Sequence, residues 1–114
     1  MCRRRDYAFI LGNTKTDYSE GSLIVDGNDT DIVIAGLVEY DTSGSDVGFI
    51  AALDQSTCLA SLFYRLQDIV WVDAVRASRV STKSYFYLVG YDSSDSEHIF
   101  KFDTDGKYQV QKFD

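Results

Sequence analysis

The sequence predicts an all-β chain of short antiparallel strands, and three observations carry that reading. β-Branched and aromatic residues gather in short, often alternating runs. Clusters of Asp, Gly, Ser and Asn separate those runs at near-regular intervals. No long stretch keeps the period of an amphipathic helix.

Nine strands are expected, near Tyr7 to Leu11, Ser22 to Val25, Asp31 to Leu37, Gly48 to Leu53, Cys58 to Tyr64, Val72 to Val80, Ser84 to Tyr91, His98 to Phe102 and Tyr108 to Phe113. The first is an aromatic and aliphatic run that meets Gly12. The second and third flank Asp26-Gly27-Asn28-Asp29, residues that tolerate the positive φ of a tight turn. Phe49-Ile50-Ala51-Ala52-Leu53 is an apolar run ending at Asp54. Ile69 to Ala77 is ambiguous: Ile69, Val70, Val72 and Ala74 suit a short helix, but the β-branched content favours a strand. The last two strands flank Asp103-Thr104-Asp105-Gly106, a second hairpin turn.

Composition sets outer bounds. At 114 residues with 45% hydrophobic side chains, the chain can bury one core and is expected to be a single domain, with Met1 to Asp6 a basic end and 7–114 one all-β segment. Its 18 acidic against 11 basic side chains give a net charge of −7, which repels phosphate backbones and anionic headgroups, so nucleic acid is not an expected partner. Arg3, Arg4 and Arg5 are a run too short for an interaction tail. No segment is long and apolar enough for a membrane span or a secretion signal. The compartment is therefore left open, including an extracellular one for a piece of a longer protein. Cys2 and Cys58 are too few and too far apart for a disulfide framework or a zinc site. His98 is the only histidine, which argues against a nucleophilic triad, and the chain is expected to be no enzyme and to carry no cofactor.

Internal repetition is the most informative pattern. Asp31-Ile32-Val33-Ile34-Ala35-Gly36 and Tyr85-Phe86-Tyr87-Leu88-Val89-Gly90 are apolar strands closing at a glycine, 54 residues apart, and each leads to Tyr-Asp and a polar loop. Phe49 to Asp54 then matches His98 to Asp103, so related units are expected near 31–64 and 85–114. A repeat of this size holding about four strands has the dimensions of one β-propeller blade. The motifs Tyr87-Leu88-Val89-Gly90-Tyr91, Ile99-Phe100-Lys101-Phe102-Asp103-Thr104-Asp105-Gly106 and Asp17-Tyr18 with Leu23-Ile24-Val25-Asp26-Gly27-Asn28 resemble the SBBP-type β-propeller repeat family. The segment from Leu66 to Lys83 departs from it, lacking an Asp-Gly-Asn turn. The resemblance implies propeller-blade-like repeats, about two blades' worth, too few to close a ring alone. A small β-sandwich or barrel is the alternative.

Candidate sites are sparse. Asp26, Asn28 and Asp31 place oxygen ligands along one turn, as calcium requires, but no bidentate Glu stands where an EF-hand needs it, and a β-turn is the simpler reading. Asn28-Asp29-Thr30 is a sequon, making Asn28 a glycosylation candidate. Asp41, Asp46, Asp92 and Asp95 could supply an acidic pair, although nothing fixes the spacing glycoside hydrolysis needs. Tyr40 and Tyr91 are candidates for glycan contact. The expected function is a non-enzymatic structural or protein-interaction module, either a propeller-like segment of a larger protein or a self-assembling subunit. Its expected partner is another protein or copies of itself, and a glycan-binding module is the alternative.

Overall fold

The computed structural model describes residues 16–18, 23–40, 46–105 and 107–113. They form nine strands and, among the described residues, no helix: β1 (Thr16–Tyr18), β2 (Ile24–Gly27), β3 (Asp31–Tyr40), β4 (Asp46–Asp54), β5 (Ala60–Leu66), β6 (Ile69–Val80), β7 (Lys83–Asp92), β8 (Glu97–Asp103) and β9 (Tyr108–Phe113). The expected strand at Tyr7 to Leu11 lies outside the described residues, as does the basic end. β1 is absent from the sequence reading, because three residues are too few to display a period. The ambiguous segment is strand throughout, and β6 starts at Ile69, earlier than expected.

The strands make two antiparallel sheets. In the first, β1 lies along the C-terminal end of β3, with Thr16 opposite Tyr40, and β2 along its other half, with Ile24 opposite Ala35. Together they fill one edge of β3, and β4 and β5 follow on the other side as a meander. A two-residue turn, Gln67-Asp68, leads into the second sheet, the meander β6-β7-β8-β9. The β6–β7 hairpin has a two-residue loop in which Ser81 takes φ 58°, the left-handed conformation such loops need.

The inner strands of the two sheets share one register. Gly36 of β3 lies opposite Phe49 of β4, and Gly90 of β7 opposite His98 of β8; five residues past Phe49 and His98 come Asp54 and Asp103. The N–H of Asp54 donates to the carbonyl of Leu59 and that of Asp103 to the carbonyl of Lys107, each toward the fourth strand of its sheet. Each carboxylate also accepts from the turn that follows, Asp54 from the N–H groups of Ser56 and Thr57, Asp103 from those of Asp105 and Lys107. Both strands run past the glycine that closes their apolar run and past their expected ends at Leu37 and Tyr91: β3 continues to Tyr40 and β7 to Asp92, because pairing with the neighbouring strands extends that far.

Different faces of the two sheets meet. The first contributes Val33, Ala35, Ile50, Ala52, Leu62 and Leu66; the second contributes Phe86, Leu88, Phe100 and Phe102, joined by Ile69, Val72 and Val75. In register terms, the side of β3 opposite to Gly36 packs on the side of β7 that carries Gly90. Ile69 sits between the sheets, where a Cβ added at either Gly48 or Gly90 would come within 2.8 Å of its Cγ2 methyl. At both positions only glycine leaves room for this wedge.

The sheets also differ in how many faces they bury. In β3 and β4 the second row of side chains, Ile34, Val38, Phe49, Ala51 and Leu53, is buried as well, which is why Ile32-Val33-Ile34-Ala35 reads as an unbroken apolar run. β7 instead alternates buried and half-buried residues, the pattern of a sheet with one covered face.

Candidate functional site

Polar side chains concentrate at two places, one at each end of the second sheet's hairpins. The first is the β2–β3 turn, where it meets the β6–β7 hairpin. Asn28 organises it: its Oδ1 accepts from the N–H groups of Thr30 and Asp31, closing the turn locally. Its Nδ2 reaches across the sheet interface, donating to the Ser78 carbonyl at 2.9 Å and to Ser84 Oγ at 3.1 Å. Ser84 is 1% exposed and donates to Asp31 Oδ2 at 2.6 Å, while Arg79 Nη1 donates to Thr30 Oγ1 and to Ser84 Oγ. Asp26, on the same strand edge, accepts from the N–H of Ala77 at 2.9 Å, and that bond holds its carboxyl below the usual range. Gln55 closes the cluster from the β4–β5 turn, donating to the Asn28 carbonyl.

This geometry decides how the candidate calcium ligands are used. Asn28 and Asp31 do come together, but around the Ser84 hydroxyl and backbone N–H groups, and Asp26 is aimed at β6. Among the described residues no three His, Cys, Asp or Glu side chains gather into a cation site. Asn28 Nδ2, the atom a glycan would occupy, is engaged across the interface through both its hydrogen bonds.

The second cluster lies at the β7–β8 turn. Asp92 Oδ1 accepts from the N–H groups of Ser94 and Ser96; Oδ2 lies 2.9 Å from His98 Nε2 and 4.0 Å from Lys112 Nζ. The His98 contact is the main reason that the Asp92 carboxyl is lowered to about 2. Tyr91 donates to Glu97 Oε2 at 3.2 Å, and this bond raises its phenol above the ordinary value. Of the other loop aspartates, Asp95 is exposed with φ 62°; Asp41 and the side chains of Asp46 and Tyr40 lie outside the described residues. Cys58, in the β4–β5 turn, is disulfide-bonded.

Burial works against ionisation at Asp26, Asp54, Asp92 and Asp103, most of all at Asp103, but hydrogen bonds together outweigh it and hold all four carboxylates low. A carboxyl depressed in the fold stabilises it above the ordinary carboxylate range, and that contribution is lost as pH falls through the folded value. Thermal melts should therefore fall in temperature between about pH 4 and about pH 2. Asp92→Asn should flatten the acid limb more than a substitution at exposed Asp95. Equal slopes for both variants would refute the assignment.

Sequence reasoning missed Ser84, Ser78, Arg79 and Gln55. Nothing local marks them; the register of β6 against β7 and the meeting of the sheets bring Ser78, Ser84 and Arg79 to the turn, and the pairing of β3 with β4 brings Gln55. No family model, curated protein or solved structure matches this chain.

Proposed function

We propose that the chain is a non-enzymatic protein-contact module made of two propeller-blade-like units, serving as a segment of a larger protein or as a subunit that assembles with its own kind. The observation that carries this reading is the packing of non-equivalent faces. Asp54 and Asp103 direct their N–H groups to the same side of their sheets, so their side chains mark corresponding faces. The Asp54 face of the first sheet is turned toward the second, and the Asp103 face of the second is turned away from the first. A sandwich with two-fold symmetry would bring like faces together; the meeting of unlike faces is the head-to-tail relation of blade-like units, and it leaves the outward face of the second sheet half-buried while that of β3 and β4 is itself buried.

Two further features support contact over chemistry. All six residues of β9 are exposed, and among the described residues no strand pairs with its outer edge. The polar clusters are consumed by turns and sheet-to-sheet hydrogen bonds. No helix among the described residues is long and apolar enough to cross a membrane.

A second reading, glycan binding, is favoured by a different place from Tyr40 and Tyr91. An open cleft of about 400 Å3 lies between β5 and the β8–β9 end, lined by Tyr64, Phe102 and Tyr108. The Tyr64 and Tyr108 rings stand 5.6 Å apart, and Tyr108 is half exposed, a surface on which a sugar could stack. An array of immobilised glycans separates the two readings. The contact module should give no signal above background; a sugar signal abolished by Tyr108→Ala would replace it with the glycan-binding reading.

A further inference from the structure

The face of β6 to β9 that points away from the first sheet is covered by none of the described strands. Pairing arranges it in rows across the sheet. Beyond an outer row of Ser78, Tyr85 and Asp103 at the β6–β7 hairpin end, Arg76, Tyr87 and Lys101 stand in one row, Ala74, Val89 and Ile99 in the next, and Trp71, Tyr91 and Glu97 in the third. β9 extends these rows with Gln109, Gln111 and Phe113. One row is therefore basic, the middle one apolar, and the third aromatic and acidic.

We propose that this face binds a second copy of the chain across a two-fold axis lying along the middle row, perpendicular to the strands. The proposal rests on the protein-contact reading and adds to it a surface and a partner. Such an axis keeps strand order and reverses strand direction. It lays the basic row of each copy on the aromatic and acidic row of the other, with Lys101 over Glu97 and Arg76 over Trp71, while Val89 and Ile99 meet their own equivalents. A two-fold interface must be self-complementary, and a face of alternating character satisfies that requirement. Arg, Trp and Tyr are also the residues that concentrate interface energy.

Comparison with the first sheet strengthens the assignment. Its corresponding face carries Val33, Ala35, Ile50 and Ala52 and is permanently covered. At the matching register the second sheet has Tyr87, Val89, Ile99 and Lys101. Those side chains tolerate water when uncovered: Lys101 Nζ lies 4.7 Å over the ring of Tyr85, and Tyr91 is bonded to Glu97. A face that is wetted in the monomer and apolar at its centre is built for reversible contact. Four strands about 4.8 Å apart and three rows about 7 Å apart give a footprint roughly 20 Å on a side. That is smaller than the ~800 Å2 per partner of a standard interface, so the expected dissociation constant is in the micromolar range.

Sedimentation velocity of the full chain, loaded from about 1 µM to about 1 mM, should show monomer giving way to dimer. Lys101→Glu and Arg76→Glu should each weaken the dimer about tenfold or more, and Lys101→Glu combined with Glu97→Lys should recover most of the loss. Both basic positions are exposed, and an unchanged far-UV spectrum will confirm that the variants fold. A chain monomeric throughout, a ladder of larger species, a dimer indifferent to both reversals, or a charge swap that restores nothing would each overturn the proposal. A monomer that binds no glycan would still be a contact module for another protein, so the two readings fail separately.

Discussion

Replacing Phe102 by alanine should lower the unfolding free energy by about 3–5 kcal/mol, the range for removing a large aromatic from a packed core. Phe102 is fully buried in β8, paired with the equally buried Phe86 of β7. Its ring centroid lies 5.4 Å from Tyr64, 5.8 Å from Phe100 and 5.6 Å from Tyr108, so it joins β5 of one sheet to β8 and β9 of the other. Small domains have roughly 5–15 kcal/mol in total, and the loss would take a large share of it. Phe102→Leu keeps most of the volume and should cost clearly less. Urea denaturation with a fixed slope measures both. A cost under about 1 kcal/mol for the alanine variant would mean that Phe102 is not at the junction of the two sheets.

Asn28→Ala should cost about 2–4 kcal/mol, although the residue is neither large nor apolar. The substitution leaves the N–H groups of Thr30 and Asp31 without their acceptor and removes both donors to β6 and β7. Asn28→Asp keeps the acceptor, loses the donors, and sets a second carboxylate close to Asp31. The two variants therefore divide the effect between turn closure and the link across the interface. Ser84→Ala, made alone and with Asn28→Ala, should be non-additive by about 1 kcal/mol, because Ser84 Oγ receives from Nδ2 and donates to Asp31. Strict additivity would break the cluster into unrelated bonds. Unchanged stability in Asn28→Ala would remove it from the structural role and return the turn to ligand binding.

These two residues mark the limit of sequence reading here. Phe102 belongs to an alternating apolar run, and its burial follows from strand period and hydrophobicity. Asn28 is conspicuous in the sequence for two reasons that concern solvent, a sequon and a string of oxygen ligands, yet its side chain is spent inside the molecule. Its partners Ser78 and Ser84 lie 50 and 56 residues away, and a serine at a strand start carries no local signature. Ile69 is similar: a residue of an ambiguous segment becomes the wedge that explains why Gly48 and Gly90 carry no side chain.

By itself the sequence determined the all-β class, most of the strand positions, both Asp-led turns at Asp26 and Asp103, and the matching order of parts around Gly36 and Gly90. Those features are local, set by period-two alternation and by the few residues that turns accept. The tertiary structure alone decided which face of each sheet meets the other, that these faces are unlike, and that basic, apolar and acidic rows lie across β6 to β9. A row draws one residue from each of several strands. Its character depends on register and on the packing of whole sheets, and nothing in the order of residues along the chain displays either.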